Sequence, residues 1–343
     1  MTDVQILEGL RALRVLIVGD LCLDRWCRYS PSHTERSRET GIDRVAVVHT
    51  ETTPGAAGTI ANNLAALGVG HIAILSVIGD DGHGYELSRA HSARHISTEH
   101  CVRSPLVNTF TYTKLINDTT SIEDLPRVDF LNVADMPWEV DHQVVAEFDR
   151  HAGSYEIIIV SDQAETERGG VVTPAVRQAI CAHADRNPKQ LVWVDSRKRT
   201  ELFRGVVVKP NHDEAAAASE RALGRVDFVA LREHIQCPLM VVTLGGEGAL
   251  LIDHEGSRTE VAQNNEHPVD ICGAGDSFTA GAATTLFLTQ SPDTAARFGN
   301  AVASVTITKP GTGTASPAEV LEKLRVSSIS EALRSCSGGS KLS

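Results

Sequence analysis

The chain has 343 residues, in which 32 Lys and Arg face 44 Asp and Glu, a formal net charge of −12. That balance argues against nucleic-acid binding, which needs a basic face to displace counterions. Hydrophobic residues at 42 % and charged residues at 22 % supply a full core and exclude disorder over most of the length. No apolar run reaches the roughly 18–20 residues of a membrane span, and the N-terminus lacks the basic start and small-residue cleavage site of a signal peptide. The seven cysteines, at 22, 27, 101, 181, 237, 272 and 336, form no C-x-x-C pair. An odd, unclustered set predicts reduced thiols in a cytoplasmic protein.

In chain order, the pattern predicts a first core strand at Val15–Gly19 and a half-exposed strand at Arg44–Thr50. A helix at Thr59–Leu67, a strand at Ile72–Val77, a helix at Tyr85–His95 and a second half-exposed strand at Thr109–Asn117 follow. Next come a helix at Glu139–His151, a strand at Ile157–Ser161 and a helix at Pro174–Ala184, with Thr173 as its N-cap. Strands at Leu191–Asp195 and Val206–Lys209, a helix at Phe228–Ile235, a strand at Met240–Leu244 and a helix at Thr279–Leu288 complete the run. Continuous β-branched strands alternating with helices predict one α/β domain over residues 1–325, built on a buried, mostly parallel sheet. The half-exposed strands predict a small β lid, near 20–52 and 105–133, over a site at the strand ends. The Ser-rich residues 326–343 read as a flexible tail.

Two common nucleotide motifs are absent. There is no Gly-Lys dipeptide, hence no Walker-A loop, and no G-x-G-x-x-G. The strongest local signal is Asp270-Ile271-Cys272-Gly273-Ala274-Gly275-Asp276-Ser277 before a helical run. Small residues let backbone amides approach an anion, and a helix N-terminus carries unpaired N–H groups and positive partial charge. Asp276 either accepts a proton from an attacking hydroxyl or simply caps the helix. His91 and His95, four apart on one predicted helix, with His100 and Cys101, mimic a metal set. They read instead as surface histidines at a helix end, with a strand beginning at His100.

Asp270–Asp276 closely matches the D-T-x-G-A-G-D signature of the ribokinase-like, phosphofructokinase-B-type sugar kinases. Gly19–Asp24, Pro54–Gly58 leading into Asn62–Gly68, Gly79-x-Asp81-x-x-Gly84, Lys209–Glu214 (N-x-x-E) and Thr243–Gly248 (T-x-G-x-x-G) follow that family's landmarks in order. The resemblance implies a three-layer α/β/α sandwich and an ATP-dependent kinase. Asp276 would be its base, and the amides of Gly273, Ala274 and Gly275 would stabilise the transferring group. It implies substrate contacts at Asp20, Asp24, Gly55, Ala56 and Asn63, and a nucleotide border at Lys198, Asn211, Glu214, Thr243, Gly245, Gly248 and Asn300. Mg²⁺ would be placed largely through water near Asn211 and Glu214, and a monovalent cation, K⁺, near Asp270.

Within that family the chain is most similar to the heptose-7-phosphate kinases. The likeness rests on Asp24-Arg25-Trp26, Thr113-Lys114, Arg127-Val128-Asp129, Ser161-Asp162, Asp195–Lys198 and Gly311–Thr314. It implies a sugar-phosphate acceptor, most closely a heptose 7-phosphate, with Asp162 on the substrate side. A phosphorylated sugar needs a cation at its far end; Lys114 and Arg127 either supply it or are solvated strand residues. The alternatives are a kinase for an unphosphorylated ketose, ribose or nucleoside, and a non-catalytic sensor. The chain departs from the family at Ala56 (usually Gly), Thr59 (usually Asn) and Cys272 (usually Thr). The partners expected are a small sugar and a second copy of the chain joined through the lid strands, with no nucleic acid and no membrane.

Overall fold

The buried β-branched runs set the architecture. The computed structural model describes residues 1–164, 166, 169–260 and 268–326. An eight-stranded sheet runs in the order β14-β13-β12-β11-β10-β9-β1-β4. Its strands are β1 (Arg14–Gly19), β4 (His71–Leu75), β9 (Ile157–Asp162), β10 (Leu191–Ser196), β11 (Val207–Val208), β12 (Met240–Thr243), β13 (Ala249–Asp253) and β14 (Gly256–Glu260). The six from β4 to β12 pair in parallel, and β13 and β14 add an antiparallel edge.

Because strand side chains alternate, one strand feeds two cores. Val15 and Ile17 enter the core shared with α1 (Asp3–Gly9), α2 (Ala57–Leu67), α8 (Ala274–Thr289) and α9 (Pro292–Thr306). Leu16 and Val18 enter the opposite core, under α4 (Trp138–His151), α5 (Pro174–Arg186), α6 (His212–Leu223) and α7 (Phe228–His234). The result is the expected three-layer sandwich. Strand order reverses beside β1, which pairs β4 on one side and β9 on the other. A crevice opens outside the carboxyl ends of the strands at such a point.

Over this crevice lies a second sheet, β3-β2-β7-β8, made of β2 (Leu21–Tyr29), β3 (Val47–Ala56), β7 (Phe110–Asn117) and β8 (Val128–Phe130). It is the expected lid. Its first expected strand is displaced from Arg44–Thr50 to Val47–Ala56, because pairing with β2, from Leu21↔Ala56 to Tyr29↔Val47, sets the register. Two short strands, β5 (Val77–Gly79) and β6 (Val102–Ser104), form a parallel pair.

The expected helix Tyr85–His95 is α3 (Gly82–Ser92), started by Asp81, which accepts the Gly84 amide at 2.7 Å. It ends before His95, whose φ of 57° is left-handed. The surface-histidine reading holds for His95, which is exposed just past the helix end, and is corrected for the other two. His91 is fully buried and burial holds its imidazole down to about 4, while His100 is also buried and the strand starts only at Val102. Among the described residues no helix is long and apolar enough to cross a membrane. Residues 327–343 of the expected tail lie outside the described residues.

Candidate active site

Four strand ends and one helix N-terminus converge on a cleft of about 310 Å³, whose walls include Asp20, Asp24, Ala56, Lys114, Arg127, Gly273 and Asp276. Gly273 starts α8 with φ 74°, and a Cβ there would lie 2.9 Å from Thr59 Cγ2 and 3.2 Å from Thr312 Cγ2. Only glycine satisfies both the left-handed backbone and the close approach. Of the three amides expected to meet an anion, that of Ala274 is taken by the Ile271 carbonyl at 3.2 Å. Those of Gly273 and Gly275 have no backbone acceptor among the described residues.

Asp276 stands in the first turn of α8, half-buried. Burial and then Asp195 raise its carboxyl to about 8, while Lys209 and Arg197 oppose the rise. Lys209 received no role from the sequence. It directly follows β11 and is buried, with Nζ 2.9 Å from Asp195 Oδ2 and 3.5 Å from the point where a Gly275 Cβ would sit. A fixed cation therefore lies beside the amides of the α8 terminus. The signal was a lysine closing an otherwise apolar strand, Val206-Val207-Val208-Lys209.

Asp24 faces the same cleft from β2. Burial raises its carboxyl to about 6 against Lys114, Cys22 and Arg127. Gly55 makes room for it, since a Cβ there would come within 2.5 Å of the Asp24 carboxylate. The Lys114 ammonium makes no hydrogen bond or ion pair among the described residues. Arg127 is tied to Asp129, with Nη2 2.6 Å from Oδ2, and lies over the Tyr112 ring. Arg25 and Arg197 add two cations to the walls, and the Arg25 Nε is buried without a hydrogen-bond partner among the described residues. The sequence reading assigned neither a site role.

Other expected site residues do structural work. Asp20 accepts the amides of Gln163, Ala164 and Val171 at 2.7–2.8 Å, fixing the loop after β9 at the cleft's edge. Its carboxyl is nevertheless raised to about 6, by burial and then by Asp162. Asp162 does not line the cleft. It is fully buried, accepting from Arg199 Nη2 at 2.7 Å and Ser196 Oγ at 2.6 Å. Asn63 is likewise buried, joining α2 to α8 through Ser277 Oγ at 3.2 Å. Arg168, the only cation in the sequence run from Gln163 to Arg168, lies outside the described residues.

The residues expected to border a nucleotide are only partly brought together. Asn211 caps α6 and Glu214 returns the bond, a reciprocal capping box. Asn211 bridges Thr243, and Gly245 and Gly248 carry the positive-φ turns that follow β12. Lys198 is exposed beyond β10, and Asn300 is buried in α9, 3.5 Å from the Glu260 carbonyl. The oxygen donors Asn211 and Glu214 suit a hard cation, and because the capping box engages both, they fit it through water. Asp270 accepts the Cys272 and Gly311 amides at 2.9 and 3.1 Å, binding the turn before α8 to the 310–314 loop.

A protein-family model for pfkB family carbohydrate kinases matches residues 13–319. Among curated relatives, the chain is 28 % identical over 325 residues to a bifunctional protein HldE of Pelobacter propionicus, covering 92 % of this chain and 64 % of that protein. It is 29 % identical over 320 residues to the HldE protein of Geobacter sulfurreducens, covering 91 % and 63 %. The chain thus spans less than two thirds of these relatives' length. Among solved structures it resembles Escherichia coli phosphofructokinase-2 in complex with potassium (TM-score 0.69, 19 % identity, 92 % and 99 % covered). It also resembles Arabidopsis thaliana ribokinase complexed with ribose and ATP (TM-score 0.65, 16 % identity, 91 % and 98 % covered). With its signature turn at the mouth of α8 and a family match over nearly its whole length, the chain belongs to the pfkB family of carbohydrate kinases.

Proposed function

We propose that the protein transfers the γ-phosphoryl group of ATP to a hydroxyl of a sugar phosphate, in its sharpest form a heptose 7-phosphate. The observation that carries this reading is one cleft with Asp276 at a helix N-terminus on one wall, and Asp24, Lys114 and Arg127 on the other. Asp24 orients sugar hydroxyls. Lys114 and Arg127 bind the phosphate that the sugar already carries. Asp276 accepts the proton as the hydroxyl oxygen attacks the γ-phosphorus; the bond to the β-phosphate oxygen breaks, and the charge leaves with ADP. The amides of Gly273 and Gly275, with Lys209, stabilise the equatorial oxygens of the transferring group. Asn211 and Glu214 would hold Mg²⁺ through water, and the bound ion would neutralise charge on the nucleotide phosphates. The same reading seats a second copy of the chain on the lid, where Val47, Val128 and Phe130 are exposed.

The test is ADP release from ATP and Mg²⁺ with a panel of sugars and their 7-, 6- and 1-phosphates. Turnover on a heptose 7-phosphate supports the full reading. Turnover only on an unphosphorylated sugar keeps the kinase and discards the phosphate roles of Lys114 and Arg127.

A further inference from the structure

A second cluster of chemistry-bearing side chains lies away from the cleft, at the end of the sheet where β1 begins. Glu147 and His151 stand one turn apart at the C-terminal end of α4, and His100 precedes β6; their ligand atoms all lie within 4.8 Å of one another. His151 Nε2 is 3.3 Å from Glu147 Oε2. The His100 and His151 rings stack with centroids 4.0 Å apart. His100 Nε2 meets the Tyr155 hydroxyl at 2.9 Å and lies 3.7 Å from Glu99 Oε1. Arg150 engages the other oxygen of Glu147, leaving Oε2 turned to the histidines. A hollow of about 360 Å³ opens on the group, lined also by Arg14, Glu99 and Ser154.

Two cations would oppose an ion here, Arg150, held on Glu147 Oε1, and Arg14. The Arg14 guanidinium is directed to the Ser154 carbonyl at 2.9 Å and over the Tyr155 ring. Neutral imidazole is the metal-ligand form of histidine. A set of two nitrogens and one carboxylate oxygen suits a borderline cation, whereas Mg²⁺ and Ca²⁺ take oxygen donors.

We propose that His100, Glu147 and His151 form a three-ligand site for a divalent transition-metal ion of the zinc class, with the fourth position open to water or the Tyr155 hydroxyl. The ion would staple the end of α4 to the segment entering β6, which continues into lid strand β7. The site shares no residue with the cleft, so it stands or falls independently of the kinase reading.

The experiment uses the full chain, freed of metal by a chelator and titrated with zinc chloride by calorimetry and thermal melting. One equivalent should bind, and the melting temperature should rise with zinc concentration, because the ion favours the folded state by mass action. His100→Gln and His151→Gln should each weaken binding at least tenfold. Glu147→Gln, half-buried and able to keep its shape, gives a variant that does not depend on altering the stacked rings. Cobalt(II) should show nitrogen and oxygen ligation without a thiolate charge-transfer band. The proposal is overturned if zinc binds the folded double histidine variant as tightly as the parent. It is equally overturned by a thiolate band, which would place the ion on a cysteine such as exposed Cys272, or by the absence of any heat or melting shift.

Discussion

The wall of the cleft around Asp276 is anchored in the main sheet, whereas the wall around Asp24 is carried by the lid. On the first, Lys209 and Asp195 pair with side chains only 4 % and 7 % exposed, and α8 packs against α2 and α9. On the second, β3 is exposed over its first six residues and β8 leaves Val128 and Phe130 in solvent. The difference teaches where each kind of damage should register. Changes at the rigid wall should alter the chemical step, and changes on the lid should alter acceptor binding.

The comparison breaks most visibly at Asp276. Asp276→Asn should cut kcat by about 10²–10⁴-fold, the usual worth of a positioned base, while a nucleotide-induced melting shift survives. Near-parental turnover would remove Asp276 from the chemistry. The next largest effect is in pH. A base raised to about 8 is protonated, hence inactive, below that value. kcat/KM should therefore climb with pH and level off above about 8, and pH 6 should lie about 100-fold below the plateau. A flat profile between pH 6 and 8 would mean that Lys209 and Arg197 outweigh burial at this carboxyl.

On the lid the signature should be KM. Lys114→Ala removes a cation whose ammonium makes no hydrogen bond or ion pair among the described residues and should raise KM for a sugar phosphate about 10–100-fold, the scale of one charge-assisted contact. kcat should change little. Arg127→Ala should act in the same direction but less, since Arg127 is already shared with Asp129 and is 45 % exposed. An unphosphorylated sugar should feel neither change. If kcat rather than KM falls, the two walls are coupled and the lid takes part in reaching the reactive state.

The two walls were unequally legible in the sequence. Runs such as Ile157–Ser161 read as buried strands because they are buried on both faces, and the α8 turn was visible in its small residues and aspartate. Asp162 and Asp20 look alike in sequence, each following an apolar strand. What separates them is Arg199, which lies 37 residues beyond Asp162 and is brought to it only by the packing of β10 on β9. Lys209 was visible as a residue but not as a neighbour of Gly275, a closeness made by the sheet and α8 together. The limits of β3 could not be read either: Val47–Thr52 is exposed throughout, so register came from β2 rather than from its own pattern.

The smallest expected effect comes from the residue that departs from the family in the substrate loop. Ala56 sits at φ 52°, ψ −118°, a backbone region that suits glycine and disfavours a Cβ. It is held there because it ends β3 opposite Leu21 and because the next amide, Ala57, donates to the Asp20 carbonyl at 3.0 Å. Such strain costs about 1–3 kcal/mol, whereas exchanging Ala for Gly costs about 0.4–1 kcal/mol through the unfolded chain. Ala56→Gly should therefore stabilise the protein by about 1 kcal/mol in denaturant unfolding, against the usual direction of that substitution. Removing a methyl from the cleft wall should also leave kcat unchanged and lower KM for the acceptor or leave it as it is. A less stable Ala56→Gly would mean that packing of the methyl outweighs the backbone strain, and a raised KM would make that methyl an acceptor contact; the family departure would then be an adaptation of the acceptor wall rather than a tolerated cost.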